Sequence, residues 1–171
     1  YAYDVVDEYA RLEPEKRALV WCDDLGQERT FTFGDIKRIS DKCANFFLSL
    51  GIGKGDTVLV ILQRRHEYWT TLMALSKIGA VCIPATHMLM EKDIVYRLQK
   101  SGAKAVVSVN EDELCSNILR AAEKAPCTQH LICIGKREGF IDLTEETERQ
   151  SEVLSVPYKG ERSAEDLILV Y

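Results

Sequence analysis

The first segment with a clear period is 3–12, where Val5, Val6, Tyr9 and Leu12 recur at helical spacing before Pro14. ALVWCDD and RTFTF then read as two short strands joined by a turn over 25–28. Thr32, with Asp35 three residues on, has the form of a capping box. Ile36, Ile39, Cys43, Phe46, Phe47 and Leu50 make one apolar stripe that stops at Gly51, so a helix is expected between the two signals. From residue 56 the pattern alternates: strand 56–62, helix 66–79, strand 80–84, helix 91–102, strand 103–109, helix 111–125 stopped by Pro126, and strand 130–135. These strands are nearly continuous apolar runs, which predicts an α/β fold with a mostly parallel sheet flanked by helices on both faces. Residues 139–165 are acidic and weakly patterned, and are expected to make a surface excursion. EDLILVY (165–171) reads as one more buried strand, and because termini are usually polar and superficial, further chain is expected after it. No repeat or long linker interrupts the pattern, so 1–171 is expected to be part of one domain without an internal boundary.

Composition narrows the class. With 171 residues, 46% of them hydrophobic and 29% charged, the chain is globular rather than disordered. A net charge of −5 disfavours a general nucleic-acid or anionic-membrane surface. No apolar run approaches the roughly 20 residues that span a bilayer, and the acidic start YAYDVVDEYA lacks the bases of a signal peptide. The six cysteines show no C-x-x-C pair and no zinc-type spacing, and Cys43, Cys82 and Cys133 lie inside apolar patterns. Free thiols in a reducing cytoplasm are expected.

In an open α/β sheet, ligands bind beyond the carboxyl ends of the strands. That rule selects Gln63, Arg64 and Arg65; Pro84 to Met88; Asn110, Glu111 and Asp112; and Gly135 and Lys136. Arg64, Arg65 and His66 at a helix start could hold an anion, or could be a solvated cluster pairing with Glu67. His87 has no nucleophile or acid beside it in sequence, so a loop histidine with a structural partner stands against a general base. Glu111, Asp112 and Glu113 could hold a hard cation, but acids are ordinary in a first helical turn. GIGKGD (51–56) looks like a dinucleotide fingerprint, yet it follows a helix and precedes a strand, the reverse of the order that cradles phosphate.

TFTFGDI, GIGKGDTVLVIL, ALSKIGAVCIPAT, DIVYRLQKSGAKAVVSV and DLILVY, in that order, resemble the opening half of the large domain of AMP-forming acyl-CoA synthetases, the adenylate-forming enzymes. PATHMLMEKDIVYRLQ is most similar to the medium-chain members. The resemblance implies an enzyme that uses ATP and magnesium to adenylate a short- or medium-chain carboxylic acid, then transfers the acyl group to CoA. In the family a Ser/Thr/Gly-rich phosphate loop follows the segment like DLILVY, and the acyl pocket and catalytic lysine come later still. The 171 residues are therefore expected to lack catalytic and metal-binding residues and to be inactive alone. What carries over is a wall of the CoA channel at Thr86, His87 and Met88, with glutamine usual where Met88 stands; the phosphate contact expected at Arg64 rests on its place at a helix start. The arginine pair that holds the CoA phosphate in acetate-type members has no counterpart around Cys115, Ser116 and Asn117. Small-molecule acid, ATP and CoA are the partners the resemblance implies; self-association is expected separately, from apolar sheet surface left uncovered. The alternative is a stand-alone binding or regulatory module of the flavodoxin or receiver kind.

Overall fold

The computed structural model describes residues 2–154; the strand expected at EDLILVY lies outside them. Thirteen elements follow one another there: α1 (Ala2–Leu12), β1 (Arg17–Cys22), β2 (Glu28–Thr32), α2 (Phe33–Ser49), β3 (Thr57–Ile61), α3 (Glu67–Lys77), β4 (Val81–Pro84), α4 (Glu91–Ser101), β5 (Ala105–Ser108), α5 (Asp112–Glu123), β6 (His130–Cys133), β7 (Ile141–Asp142) and α6 (Leu143–Glu148). Strands β1 and β2 form a separate antiparallel hairpin. The other five strands make one sheet in the order β4-β3-β5-β6-β7, parallel throughout.

The starting signals work as the pattern predicts. Thr32 Oγ1 accepts from the Asp35 backbone N–H at 3.1 Å, while Asp35 Oδ2 accepts from the Thr32 N–H at 3.1 Å, which satisfies two donors that α2 would otherwise leave open. Bonds from Thr32, the backbone one largest, hold the Asp35 carboxyl below its ordinary value. At the other end Gly51 adopts φ +73° and the Ile52 N–H returns to the Phe47 carbonyl at 3.1 Å, a turn that a side chain bearing Cβ would strain. GIGKGD is a tight turn: Asp56 Oδ2 accepts from Gly53 N–H at 2.9 Å, and Gly55 N–H reaches the Gly79 carbonyl at 2.9 Å.

Val58 through Ile61 on β3 and all four residues of β5 are buried, as a sheet covered on both faces requires. Helices α1, α2, α3 and α6 pack together, as do α4 and α5. The right-handed rule for βαβ crossovers puts the two groups on opposite faces. Within the first group Lys77 is 1% exposed. Its ammonium donates to Asp41 Oδ1 at 2.6 Å and to Ser40 Oγ at 3.0 Å. It also lies 2.8 Å from Asp7 Oδ1, an ion pair whose angle is not that of a hydrogen bond.

One expectation fails. Within 139–165, expected as a surface excursion, Ile141 and Asp142 pair with Ile132 and Cys133 as a fifth parallel strand, and α6 follows at once. A two-residue strand is too short to show a period. The helix is announced by Asp142, whose Oδ1 accepts from Thr144 and Glu145 N–H groups at 2.9 and 3.2 Å.

Candidate functional site

From β3 the chain winds outward to β4, then crosses back to β5 and continues to β6 and β7. The strand order reverses between β3 and β5, so a crevice is expected beyond the carboxyl ends of those two strands. Gln63 stands at this point. It holds φ +50°, alone among the described non-glycine residues in having a positive φ, a conformation that costs a side-chain-bearing residue about 1–2 kcal/mol. Its amide donates across the reversal point to Glu111 Oε1. Beside it Arg137, which follows β6, donates to Asn110 Oδ1 at 2.9 Å and to Asp112 Oδ1 at 2.6 Å, which ties the ends of β5 and β6 together.

Arg64, Arg65 and His66 do not converge on one anion site. Arg65 is held by Glu67, with contacts of 2.8 and 3.1 Å, and lies over the Trp21 ring. These bonds raise its already high pKa. His66 turns inward beneath the β1–β2 hairpin, 9% exposed, against the rings of Phe31 and Trp21. Its Nε2 lies 2.9 Å from Arg29 Nη1, and because a guanidinium only donates, Nε2 is the bare nitrogen. Nδ1 then carries the proton, 3.4 Å from Glu67 Oε2. Burial pushes the His66 pKa down; Glu67 opposes this, and Arg29 and Arg65 reinforce it. Arg64 is left exposed, its carbonyl accepting from Trp21 Nε1 at 2.7 Å and its guanidinium without a partner among the described residues. A free guanidinium at a strand end fits an anionic group.

Thr86, His87 and Met88 follow β4 and are all exposed, Met88 at 73%. Thr86 Oγ1 accepts from the Met88 N–H at 3.3 Å, which shapes the turn, and buried Leu89 anchors it beneath. The His87 ring and the flexible Met88 thioether are thus presented at the rim, with the Thr86 hydroxyl engaged in the turn that carries them. The acids of 111–113 diverge, Glu111 to Gln63 and Asp112 to Arg137, and no group of three or more His, Cys, Asp or Glu gathers among the described residues. They do not fit a magnesium ion. Cys115 and Asn117 face inward, toward the carbonyls of Val109 and Leu89. The described cysteines are free, and burial raises Cys43 and Cys82 to about 12 and Cys133 to about 11, so none of these three is a thiolate at neutral pH. Arg137 escaped the sequence reading because its partners lie 25 and 27 positions upstream.

A parallel sheet of this order, with helices on both faces, is that of an open α/β domain, the class in which ligands bind beyond the carboxyl ends of the strands. The AMP-binding enzyme family matches residues 6–171, and the chain belongs to that family. It is 31% identical over 153 residues to the human "acyl-coenzyme A synthetase ACSM5, mitochondrial", covering 85% of this chain and 26% of that protein. The human "acyl-coenzyme A synthetase ACSM1, mitochondrial" is 33% identical over 151 residues, with 84% and 26% covered. The chain thus spans about a quarter of the length of these curated relatives. Among solved structures, an acyl-CoA synthetase of Brucella canis superposes with a TM-score of 0.80 at 26% identity, covering 95% of this chain and 29% of that one. An anthranilate CoA ligase in complex with anthranoyl-AMP gives a TM-score of 0.84 at 20% identity, which speaks to the fold.

Proposed function

We propose that the chain is the amino-terminal part of the adenylating domain of an AMP-forming acyl-CoA synthetase. The observation that carries the reading is the family match over 6–171, joined to curated relatives that are themselves acyl-coenzyme A synthetases. The longer enzyme would couple a short- or medium-chain carboxylic acid to ATP, releasing pyrophosphate, and then pass the acyl group to the CoA thiol. A carboxylate resists attack by a thiol until one of its oxygens becomes part of a good leaving group, which adenylation supplies. In this reading ATP and magnesium are held by residues beyond those described.

The chain's own residues orient and bind. Thr86, His87 and Met88 form one wall of the channel that admits CoA, and the Arg64 guanidinium offers a contact to a CoA phosphate. The rest of the described domain holds that rim in place. Free, high-pKa thiols suit a reducing compartment, and the cytoplasm is the proposed location. Self-association through apolar sheet surface is part of the same reading, and sedimentation would register it.

A regulatory module of the flavodoxin or receiver kind has one observation in its favour, since β4-β3-β5-β6-β7 is the flavodoxin strand order. Against it, β3 ends in Gln63, Arg64 and Arg65, where a receiver places its acidic cluster. Acid-dependent exchange of labelled pyrophosphate into ATP separates the two. The longer enzyme should catalyse it with a short or medium acid and the 171-residue chain should not; exchange by the chain alone would overturn the assignment of catalysis to later residues.

A further inference from the structure

Strand β1 pairs with β2 on one side, and among the described residues nothing pairs with its other edge. The turn shows which groups that edge offers. The Asp23 N–H points across the hairpin to the Gln27 carbonyl at 3.1 Å, and in an antiparallel pair the inward direction alternates. Trp21 therefore also bonds to β2, while Val20 and Cys22 turn their N–H and C=O groups outward. Both residues are exposed, Val20 at 46%. The strand is held from behind: Trp21 Nε1 donates to the Arg64 carbonyl at 2.7 Å, and Arg65 lies over the same ring. With no proline and no charge between Arg17 and Asp23, the edge is a template for another strand.

We propose that this edge is a docking surface for β1 of a second copy of the chain, joining two hairpins into one four-stranded antiparallel sheet about a two-fold axis at Val20. The residues select the partner. Laid antiparallel on itself about Val20, the run RALVWCD sets Val20 against Val20, a pair that exchanges two N–H···O bonds, and Leu19 against Trp21. Arg17 of each copy then stands opposite Asp23 of the other, so a cation meets an anion at both ends. Arg17 is exposed and without a partner among the described residues. Asp23 Oδ1 accepts from the Leu25 and Gln27 N–H groups at 2.9 and 2.8 Å, which fixes the carboxylate at the end of the strand. The outer edge of β2 has no such match, since about Thr30 its Glu28 would face Thr32 and its Arg29 would face Phe31.

Sedimentation velocity of the 171-residue chain over a range of concentrations should show a monomer–dimer equilibrium. Val20→Pro removes an N–H that bonds to nothing within the hairpin, and should leave a monomer with the parent's urea unfolding midpoint. Arg17→Asp, at an exposed position, sets like charges opposite one another at both ends and should raise the dimer dissociation constant about tenfold. Val20→Cys, made together with Cys22→Ser to remove the exposed native thiol, places two thiols across the axis at the spacing of a disulfide, so oxidation by diamide should link two chains. Because the hairpin is a sheet apart from β3–β7, these variants leave association through the larger sheet untouched. A chain that is monomeric at every concentration, its edge covered by another part of itself or left bare, would overturn the proposal. So would a dimer that either Val20→Pro or Arg17→Asp leaves unchanged, or a Val20→Cys chain that diamide fails to link.

Discussion

On the α1–α2–α3 side Lys77 is 1% exposed between Asp41, Ser40 and Asp7, while at the carboxyl end of β3 the Arg64 guanidinium stands in solvent with no partner among the described residues. Both are cations near one end of a helix. The difference is in who satisfies them. A buried ammonium is tolerated only because several oxygens replace the water it has lost, so its partners belong to the fold. An exposed guanidinium adds little to stability and keeps its donors for something that arrives later. Strain follows the same division, for Gln63, the described non-glycine residue held at positive φ, lies at the rim and not in the helical layer.

The contrast would be broken most severely at Lys77. Lys77→Ala leaves the buried Asp41 to Lys37 alone and takes the ammonium from Asp7, and should destabilise the chain by about 3 kcal/mol, read from urea unfolding midpoints. A loss no larger than that of an exposed lysine would mean that the network is not holding the layer. Next comes His66, whose pKa is lowered in the folded state by burial first. The unfolded chain therefore takes up the proton before the folded one. Stability is intact above the ordinary histidine value of 6.5 and is lost as pH falls below it toward the folded pKa, because a protonated Nε2 can no longer accept from Arg29. Unfolding midpoints at pH 7.5 and 5.5 should differ in the parent chain and differ less in His66→Gln, and equal slopes would contradict the role given to His66. Smaller still is the effect at Gln63. Gln63→Ala keeps the strain and loses the bond to Glu111, whereas Gln63→Gly loses the bond but relieves the strain, so the glycine variant should be the more stable of the two by about 1 kcal/mol. The reverse order would show that the backbone there is not strained.

The parallel sheet was legible because buried strands and amphipathic helices write their periods locally, as 56–62 and 36–50 do. The cap at Thr32 was legible for the same reason, since its partner is three residues away. Lys77 was not. In sequence it is a basic residue in the last turn of a helix, where cations commonly face solvent, and Asp41 and Asp7 lie 36 and 70 positions before it. The rim was legible as a set of loops, through the rule that ligands gather at strand ends, but not as a division of labour. Nothing in the triplet Arg64, Arg65, His66 says that one turns outward, one lies over Trp21 and one is buried under the hairpin; that depends on a hairpin more than 30 residues upstream. Strand β7 and helix α6 were missed because four apolar and acidic residues around Asp142 carry no period.

The claim that the rim serves CoA while the layer behind it serves stability meets its most direct test in Arg64→Ala, made in the longer enzyme and followed through both half-reactions. The account predicts an unfolding midpoint and an acid-dependent ATP–pyrophosphate exchange equal to the parent's, with KM for CoA raised several-fold. Impaired exchange together with an unchanged KM for CoA would contradict it.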